Sequence, residues 1–263
     1  MNVSTPSPLR LGLLRSLSSS FPDWGVWKNV DRTLEGAGDI DSLAPASSWE
    51  RIGKAYEDWA LSQGFEAVVA CRHAPGVLLL QALSAQSDTM TELDICDECH
   101  WRGGTLFTAD RLAPLMVEDP RGFRCLRSGA QGLFLLLLNG VRRGGRSDVQ
   151  AIRDKHVIEL LESDRDGAIS AAQTMGSIAP VAIRLAEAVQ QGRWERGLAL
   201  RLEASALIDA FLSPKILTAR VLFRAGAFRT CPVIRATREG RQTPRDIEVW
   251  LDAASRSHRV VRA

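Results

Sequence analysis

Three aspartates carry the chemistry that this chain can be expected to do. Asp39 and Asp41 stand in the run Gly36-Ala-Gly-Asp-Ile-Asp-Ser-Leu, and Asp94 stands in Thr91-Glu-Leu-Asp-Ile-Cys. If each run is a strand, alternate side chains share a face. Asp39 and Asp41 then point the same way while Ile40 turns into the core, and Asp94 points away from Leu93 and Ile95. Two such strands side by side gather three carboxylates into one patch. Like charges at that spacing repel unless cations neutralise them. Hard divalent ions with oxygen ligands, Mg²⁺ above all, are the natural partners. Gly36 and Gly38 precede the pair, and glycine lets backbone approach a phosphate closely.

Other chemistry-bearing residues are weighed against this cluster. Cys96-Asp-Glu-Cys99-His100 contains a CxxC, and Cys71, His73 and Cys125 are further ligand types. Their spacing matches no standard zinc pattern, and a simple cysteine pair is the plainer reading of Cys96 and Cys99. Haem attachment at CxxCH needs export, which no leader-like apolar stretch supports. Arg72 at a strand end and Arg102 in a Gly-flanked loop are candidates to meet a phosphate, Arg102 bidentately. Glu92 shares the face of Asp94 as a spare or rim carboxylate. The tryptophans are spread along the chain, and core packing accounts for most of them. Arg142, Arg143 and Arg146 close a helical stretch, where cations complement the helix dipole.

The elements that must position the acids come next. Trp24 to Val30 reads as a short strand, followed by a polar Gly-containing turn and the strand around Asp39 to Leu43. Pro45-Ala-Ser-Ser48 leads into a helix from Trp49 to about Gln63, with Ile52, Tyr56, Trp59 and Ala60 at helical spacing and Gly64 as its stop. Glu66 to Arg72 and Val77 to Leu83 are β-rich runs joined by Ala74-Pro-Gly76, and the polar loop Ser84 to Asp88 leads to the strand of Asp94. The middle of this half is an antiparallel meander. From Ala130 onward the pattern is helical: Gln131 to Val141, Val149 to Leu161, Val181 to Gln190, Trp194 to Phe211 and Pro214 to Phe223. In the fourth of these, Leu198, Leu202, Ser205, Ile208 and Leu212 lie on or near one stripe. A last short helix is expected at Pro244 to Ala254 within an Arg-rich tail.

The expected fold class is therefore α+β with a mixed or antiparallel sheet and flanking helices, followed by a helical domain. The expected division is a flexible N-terminus over 1–20, an acid-bearing domain over 21–118, and a helical domain with the Arg-rich tail over 119–263. The chain has 263 residues, 45% of them hydrophobic, enough for one large domain or two smaller ones. Its net charge of +2 marks neither a nucleic-acid coat nor an acidic tail. The five cysteines are odd in number and fit free thiols in a reducing cytoplasm. The apolar run Leu133 to Leu138 is too short to span a bilayer, so no membrane partner is expected.

With these residues in place, the chain resembles a minimal nucleotidyltransferase of the polymerase-beta-like superfamily, in a bacterial branch with Leu-Asp-h followed by Trp-Arg-Gly. Here these are Leu93-Asp94-Ile95 and Trp101-Arg102-Gly103. The likeness covers about residues 20 to 110 and extends loosely to the helical half. It implies a first strand at Gly25-Val-Trp-Lys28, Asp39 and Asp41 as the paired acids, and Asp94 as the third. It implies two Mg²⁺ held by these acids, an NTP as donor, in-line attack on the α-phosphate, and Asp94 as proton acceptor. Nucleotide-binding positions carried over are Lys28, Asn29, Gly36, Gly38, Arg72 and Arg102. The sequence departs from the family at Lys28-Asn29, where Gly-Ser or Gly-Gly usually presents backbone amides to the triphosphate. Lys28 would supply a point charge instead; its bland alternative is a surface pair with Asp31. The acceptor (small molecule, peptide, protein or tRNA) is open. So is a second function class on the same fold, a non-catalytic nucleotide- or RNA-binding module.

Overall fold

The computed structural model describes residues 7–36, 38–84, 89–101, 104–140, 155–193 and 195–212, with short pieces at 218, 221, 230–232 and 259–261. The chain is mixed α+β and divides into two compact units, one of residues 1–97, 119–124 and 219–263, the other of residues 98–118 and 125–218.

Helix α1 (Pro8–Ser20) belongs to the first unit and replaces, over those residues, the flexible segment expected over 1–20; residues 1–6 lie outside the described residues. Pro8 opens the helix at a position where its missing N–H costs nothing, and Leu13, Leu14 and Leu17 are buried. The Ser-rich stretch after Arg15 conceals this apolar spacing. Strand β1 is only Gly25–Val26. The expected strand to Val30 is cut short by helix α2 (Val30–Leu34), entered through Asn29 in the left-handed conformation at φ 56°. Strand β2 (Ile40–Leu43) is followed by a 3₁₀ turn and helix α3 (Trp49–Ser62). Gly64 adopts φ 85° just beyond α3, a conformation that favours glycine. Strands β3 (Ala67–Ala74), β4 (Val77–Ser84) and β5 (Thr89–Cys96) form the expected antiparallel meander.

The seven-stranded sheet has the order β3-β4-β5-β2-β1-β9-β8, with β8 at Met116–Asp119 and β9 at Phe123–Leu126. It is a mixed sheet: β2 runs parallel to β5 and antiparallel to β1. Strand β8 runs across residue 118 and β9 lies beyond it, and the two compact units do not follow the contiguous boundary expected at 118/119. The chain returns to the sheet of the acid-bearing strands after the Pro-, Gly- and Arg-containing segment, and the first unit is built from separate stretches.

Packing on the sheet's apolar face explains why α3 forms. Ile52, Tyr56 and Ala60 project from one side of the helix and are fully buried, as are Leu93 and Ile95 of β5. The Tyr56 hydroxyl donates to the Thr91 carbonyl at 2.5 Å and accepts the Ala82 N–H at 3.1 Å, so one side chain joins α3 to β4 and β5. Burial pushes its pKa up. Arg15 donates to the Arg121 carbonyl at 2.7 Å, and Arg121 pairs with Asp119 and Asp31 at 2.7 and 2.9 Å, which ties α1 and α2 to the β8–β9 turn.

The second unit holds the hairpin of β6 (Glu98–Trp101) and β7 (Gly104–Thr108), the short helix α4 (Ala109–Leu112), and helices α5 (Ser128–Leu135), α6 (Lys155–Ser163), α7 (Arg165–Gln173), α8 (Ala179–Gln190) and α9 (Arg196–Leu212). A π-helical turn, Leu136–Gly140, continues α5. The sequence reading lacks α7. Asp164 is its N-cap, accepting the Gly167 N–H at 3.0 Å, and it also accepts the Gly129 N–H of α5 and a bidentate hydrogen-bond pair from Arg127. The Arg127 guanidinium holds Asp164 below the usual carboxylate range. The stripe expected on α9 is corrected. Leu198, Ala199, Leu202, Ala206 and Ala210 are its buried positions, whereas Ile208 and Leu212 are 57% and 76% exposed. The expected helices at Pro214 to Phe223 and Pro244 to Ala254 lie outside the described residues, as do Arg142, Arg143, Arg146 and most of the Ser84 to Asp88 loop.

Candidate functional site

Parallel pairing of β2 with β5 sets Asp41 directly opposite Asp94, with Ile40 opposite Leu93 and Ser42 opposite Ile95. Strand alternation then separates chemistry from packing. Ile40, Leu93 and Ile95 are fully buried on one face, and the acids emerge on the other. The Ser42 hydroxyl donates to the Asp94 carbonyl at 2.9 Å, and the Trp27 N–H donates to the Asp41 carbonyl at 3.0 Å. The backbone beneath both acids is thereby fixed. Asp39 stands immediately before β2. One carboxylate oxygen from each of Asp39, Asp41 and Asp94 lies within 4.8 Å of the others. Among the described residues this is the sole group of three or more His, Cys, Asp or Glu side chains that converge in this way.

The approach to the cluster is made of glycine. Gly36 and Gly38 adopt φ values of 82° and 74°, and the space where a Cβ would stand is open at both. An L side chain there would be strained by the backbone conformation rather than by a neighbour. Behind this turn, Arg10 of α1 donates to the Thr33 carbonyl at 3.1 Å, and the Thr33 hydroxyl donates to the Asp39 carbonyl at 3.4 Å. Arg10 is 6% exposed. Burial lowers its pKa, opposed by nearby Tyr56, Asp39 and Glu92. The segment first taken as flexible thus supports the turn that presents Asp39.

The electrostatics follow from burial and crowding. Asp94 is pushed up to about 7, first by burial and then by the charges of Asp41 and Asp39, with Lys28 acting in the opposite sense. Its Oδ1 is buried and has no hydrogen-bond partner. Burial also raises Asp41, while Lys28 and the Asn29 side chain draw it back down. Asp39 is the most open of the three.

Lys28 and Asn29 both serve Asp41. The Lys28 ammonium lies 2.8 Å from Asp41 Oδ1 and 4.8 Å from the centre of the Trp27 ring. This answers neither sequence expectation directly: the lysine is not paired with Asp31, whose carboxylate instead meets Arg121.

The structure does not bring Arg72 to the acids. Leu79 is opposite Asp94 and Cys71 is opposite Leu79, so Cys71 shares the acid side of the sheet and Arg72 projects from the other. There its guanidinium lies 5.2 Å over the Trp49 ring of α3. Arg102 lies outside the described residues. Glu92 accepts a short hydrogen bond from its cross-strand neighbour Gln81, which favours the rim role over a ligand role. Among the described residues, none of Cys71, Cys96, Cys99 and Cys125 belongs to a converging ligand group. Sequence reasoning missed Arg10, Thr33 and the partnership of Lys28 and Asn29 with Asp41. The helical spacing of the leucines after Pro8 is the one signal that pointed to the first two.

Compared with protein-family models, curated proteins and solved structures, the chain matches none. No helix among the described residues is long and apolar enough to cross a membrane.

Proposed function

We propose that this protein is a metal-dependent nucleotidyltransferase on a nucleotidyltransferase-like fold, moving a nucleoside monophosphate from an NTP to an acceptor hydroxyl and releasing pyrophosphate. The observation that carries this reading is the convergence of Asp39, Asp41 and Asp94 across a parallel strand pair. The donor set fits Mg²⁺: it is all oxygen, and the orphaned Asp94 Oδ1 is a buried acceptor that calls for a cation.

Asp39, Asp41 and Asp94 would hold the metal, which when bound supplies charge neutralisation for the polyphosphate and a lower pKa for the attacking hydroxyl. The chain's own residues do the rest. The glycine turn leaves room for a phosphate beside Asp39. Asp94 would take the proton of the acceptor hydroxyl as that oxygen attacks the α-phosphorus and the bond to pyrophosphate breaks. We place the reaction in the cytoplasm, without a membrane partner.

One observation favours the second class of function. Lys28 and Asn29 are turned toward Asp41, where the family offers phosphate-binding backbone. A non-catalytic nucleotide- or RNA-binding module would keep that arrangement. Pyrophosphate release from each of the four NTPs, with Mg²⁺ and a pool of candidate acceptors, tests the transferase reading. Release that disappears in Asp94→Asn supports it. Nucleotide binding without any release, in wild type and variant alike, favours the binding module.

A further inference from the structure

From the Lys28–Asp41 pair we infer that Lys28 is a built-in counterion that competes with the metal for Asp41 and must leave that carboxylate when the metal binds. The inference rests on the metal-binding reading above. The ammonium stands 2.8 Å from Asp41 Oδ1. That oxygen belongs to the carboxylate whose ligand atom converges with those of Asp39 and Asp94. Asp41 is 6% exposed, so its carboxylate has few routes to water and gains its compensation from Lys28 and Asn29. A divalent cation and the Lys28 ammonium would draw on the charge of the same Asp41 carboxylate. Their repulsion adds to the competition.

The surroundings also give the lysine somewhere to go. Its side chain is partly exposed, at 25%, and its stem is long and flexible. The Trp27 ring, 4.8 Å from the ammonium, offers a second favourable contact that does not depend on Asp41. Lys28 thus offsets one of the three carboxylate charges of the cluster. A metal displacing Lys28 would turn the ammonium from a partner of the protein into a charge available to the polyphosphate.

Mn²⁺ alone, followed through the spectrum of the free ion at low ionic strength and mildly alkaline pH, is the test. Wild type, Lys28→Met, Lys28→Arg and Asp94→Asn are compared. Competition predicts that Lys28→Met binds Mn²⁺ about tenfold more tightly, the scale of one charged hydrogen bond no longer to be broken. Lys28→Arg, which keeps the charge and grips a carboxylate with a planar fork, should bind Mn²⁺ no better than wild type. Equal or weaker Mn²⁺ binding by Lys28→Met, with wild type binding and Asp94→Asn impaired, overturns the competition and leaves the metal site standing. Absence of Mn²⁺ binding by wild type and by Lys28→Met overturns the metal reading itself. If Lys28→Met does not fold, Lys28→Arg decides: tighter Mn²⁺ binding than wild type rules the competition out.

Discussion

Asp41 and Asp94 are direct cross-strand neighbours in a parallel pair; burial raises the pKa of both, and the charge of Asp41 raises Asp94 further. Parallel pairing is what makes this possible from opposite ends of a long excursion through α3, β3 and β4. It also means that the two carboxylates approach each other whatever fills the site, so the folded chain carries their repulsion until a cation arrives.

That repulsion has a pH signature. Asp94 has a folded pKa of about 7, above the ordinary value of an unfolded aspartate. Its contribution favours the folded state fully below the unfolded pKa and is lost as pH rises through about 7. Metal-free protein should therefore lose stability from mildly acid to neutral pH. Asp94→Asn should flatten that slope and gain ~1 kcal/mol at neutral pH, a figure reduced for screening by solvent. Thermal melts across that range in the presence of a chelator provide the check, and an unchanged slope in Asp94→Asn would refute the assignment.

Metal binding should show the opposite trend. A ligating carboxylate must be ionised, so affinity for Mg²⁺ or Mn²⁺ should rise as pH passes through about 7, and protons should be released on binding. Calorimetry in buffers of different ionisation enthalpy counts those protons. Zero release near neutral pH would contradict a protonated Asp94 in the metal-free state.

The paired acids should separate in their effect on stability. Asp39→Asn removes an open like charge and should leave stability unchanged or slightly improved. Asp41→Asn strips Lys28 of its carboxylate and should cost about 1–3 kcal/mol, the range for a hydrogen bond to a charged group. Both should abolish transfer. Urea denaturation distinguishes them, and equal stability of the two variants would show that the Lys28–Asp41 pair contributes nothing net.

Outside the site, Tyr56→Phe should cost about 1–3 kcal/mol, because it leaves the buried Ala82 N–H and Thr91 carbonyl without their side-chain partner. A midpoint in urea equal to that of wild type would disprove the bridging role.

In the second unit, a Cβ at Gly129 would lie 1.7 Å from the Asp164 carbonyl oxygen, whereas one at Gly167 would lie 2.0 Å from a side-chain oxygen of the same residue. The first obstacle is backbone and the second is a carboxylate that can rotate. Gly129→Ala should then be the more damaging, beyond ~3 kcal/mol. Gly167→Ala should cost about 1–2 kcal/mol through the weakened N-cap. The reverse order in thermal melts would count against this placement of Asp164.

Much of the site was legible because strand alternation is local. Asp39, Asp41 and Asp94 flank apolar residues in short runs, and their convergence needs only that the two strands be neighbours. The meander, α3 and several later helices were legible from turn chemistry and helical spacing. Arg72 was not, because its side of the sheet depends on register with β4 and β5, and a shift of one residue reverses every side chain. The pairing of Lys28 with Asp41 was not legible for a related reason: it depends on the antiparallel pairing of β1 with β2, which the lysine's immediate neighbours do not disclose. Helix α1 was overlooked because serines mask an apolar face only a few leucines long. The return of β8 and β9 to the first sheet is a long-range event with no local mark.

The parallel register of β2 and β5 governs when in folding the three acids can meet. No hairpin or single turn contains the three acids, so a nascent or truncated chain ending before Asp94 lacks one member of the cluster. Bringing the strands together requires closure of the whole intervening loop, a slow class of contact. Capture of Mn²⁺ during refolding would thus time the docking of β2 against β5, and the divalent ion would select native chains from partly folded ones.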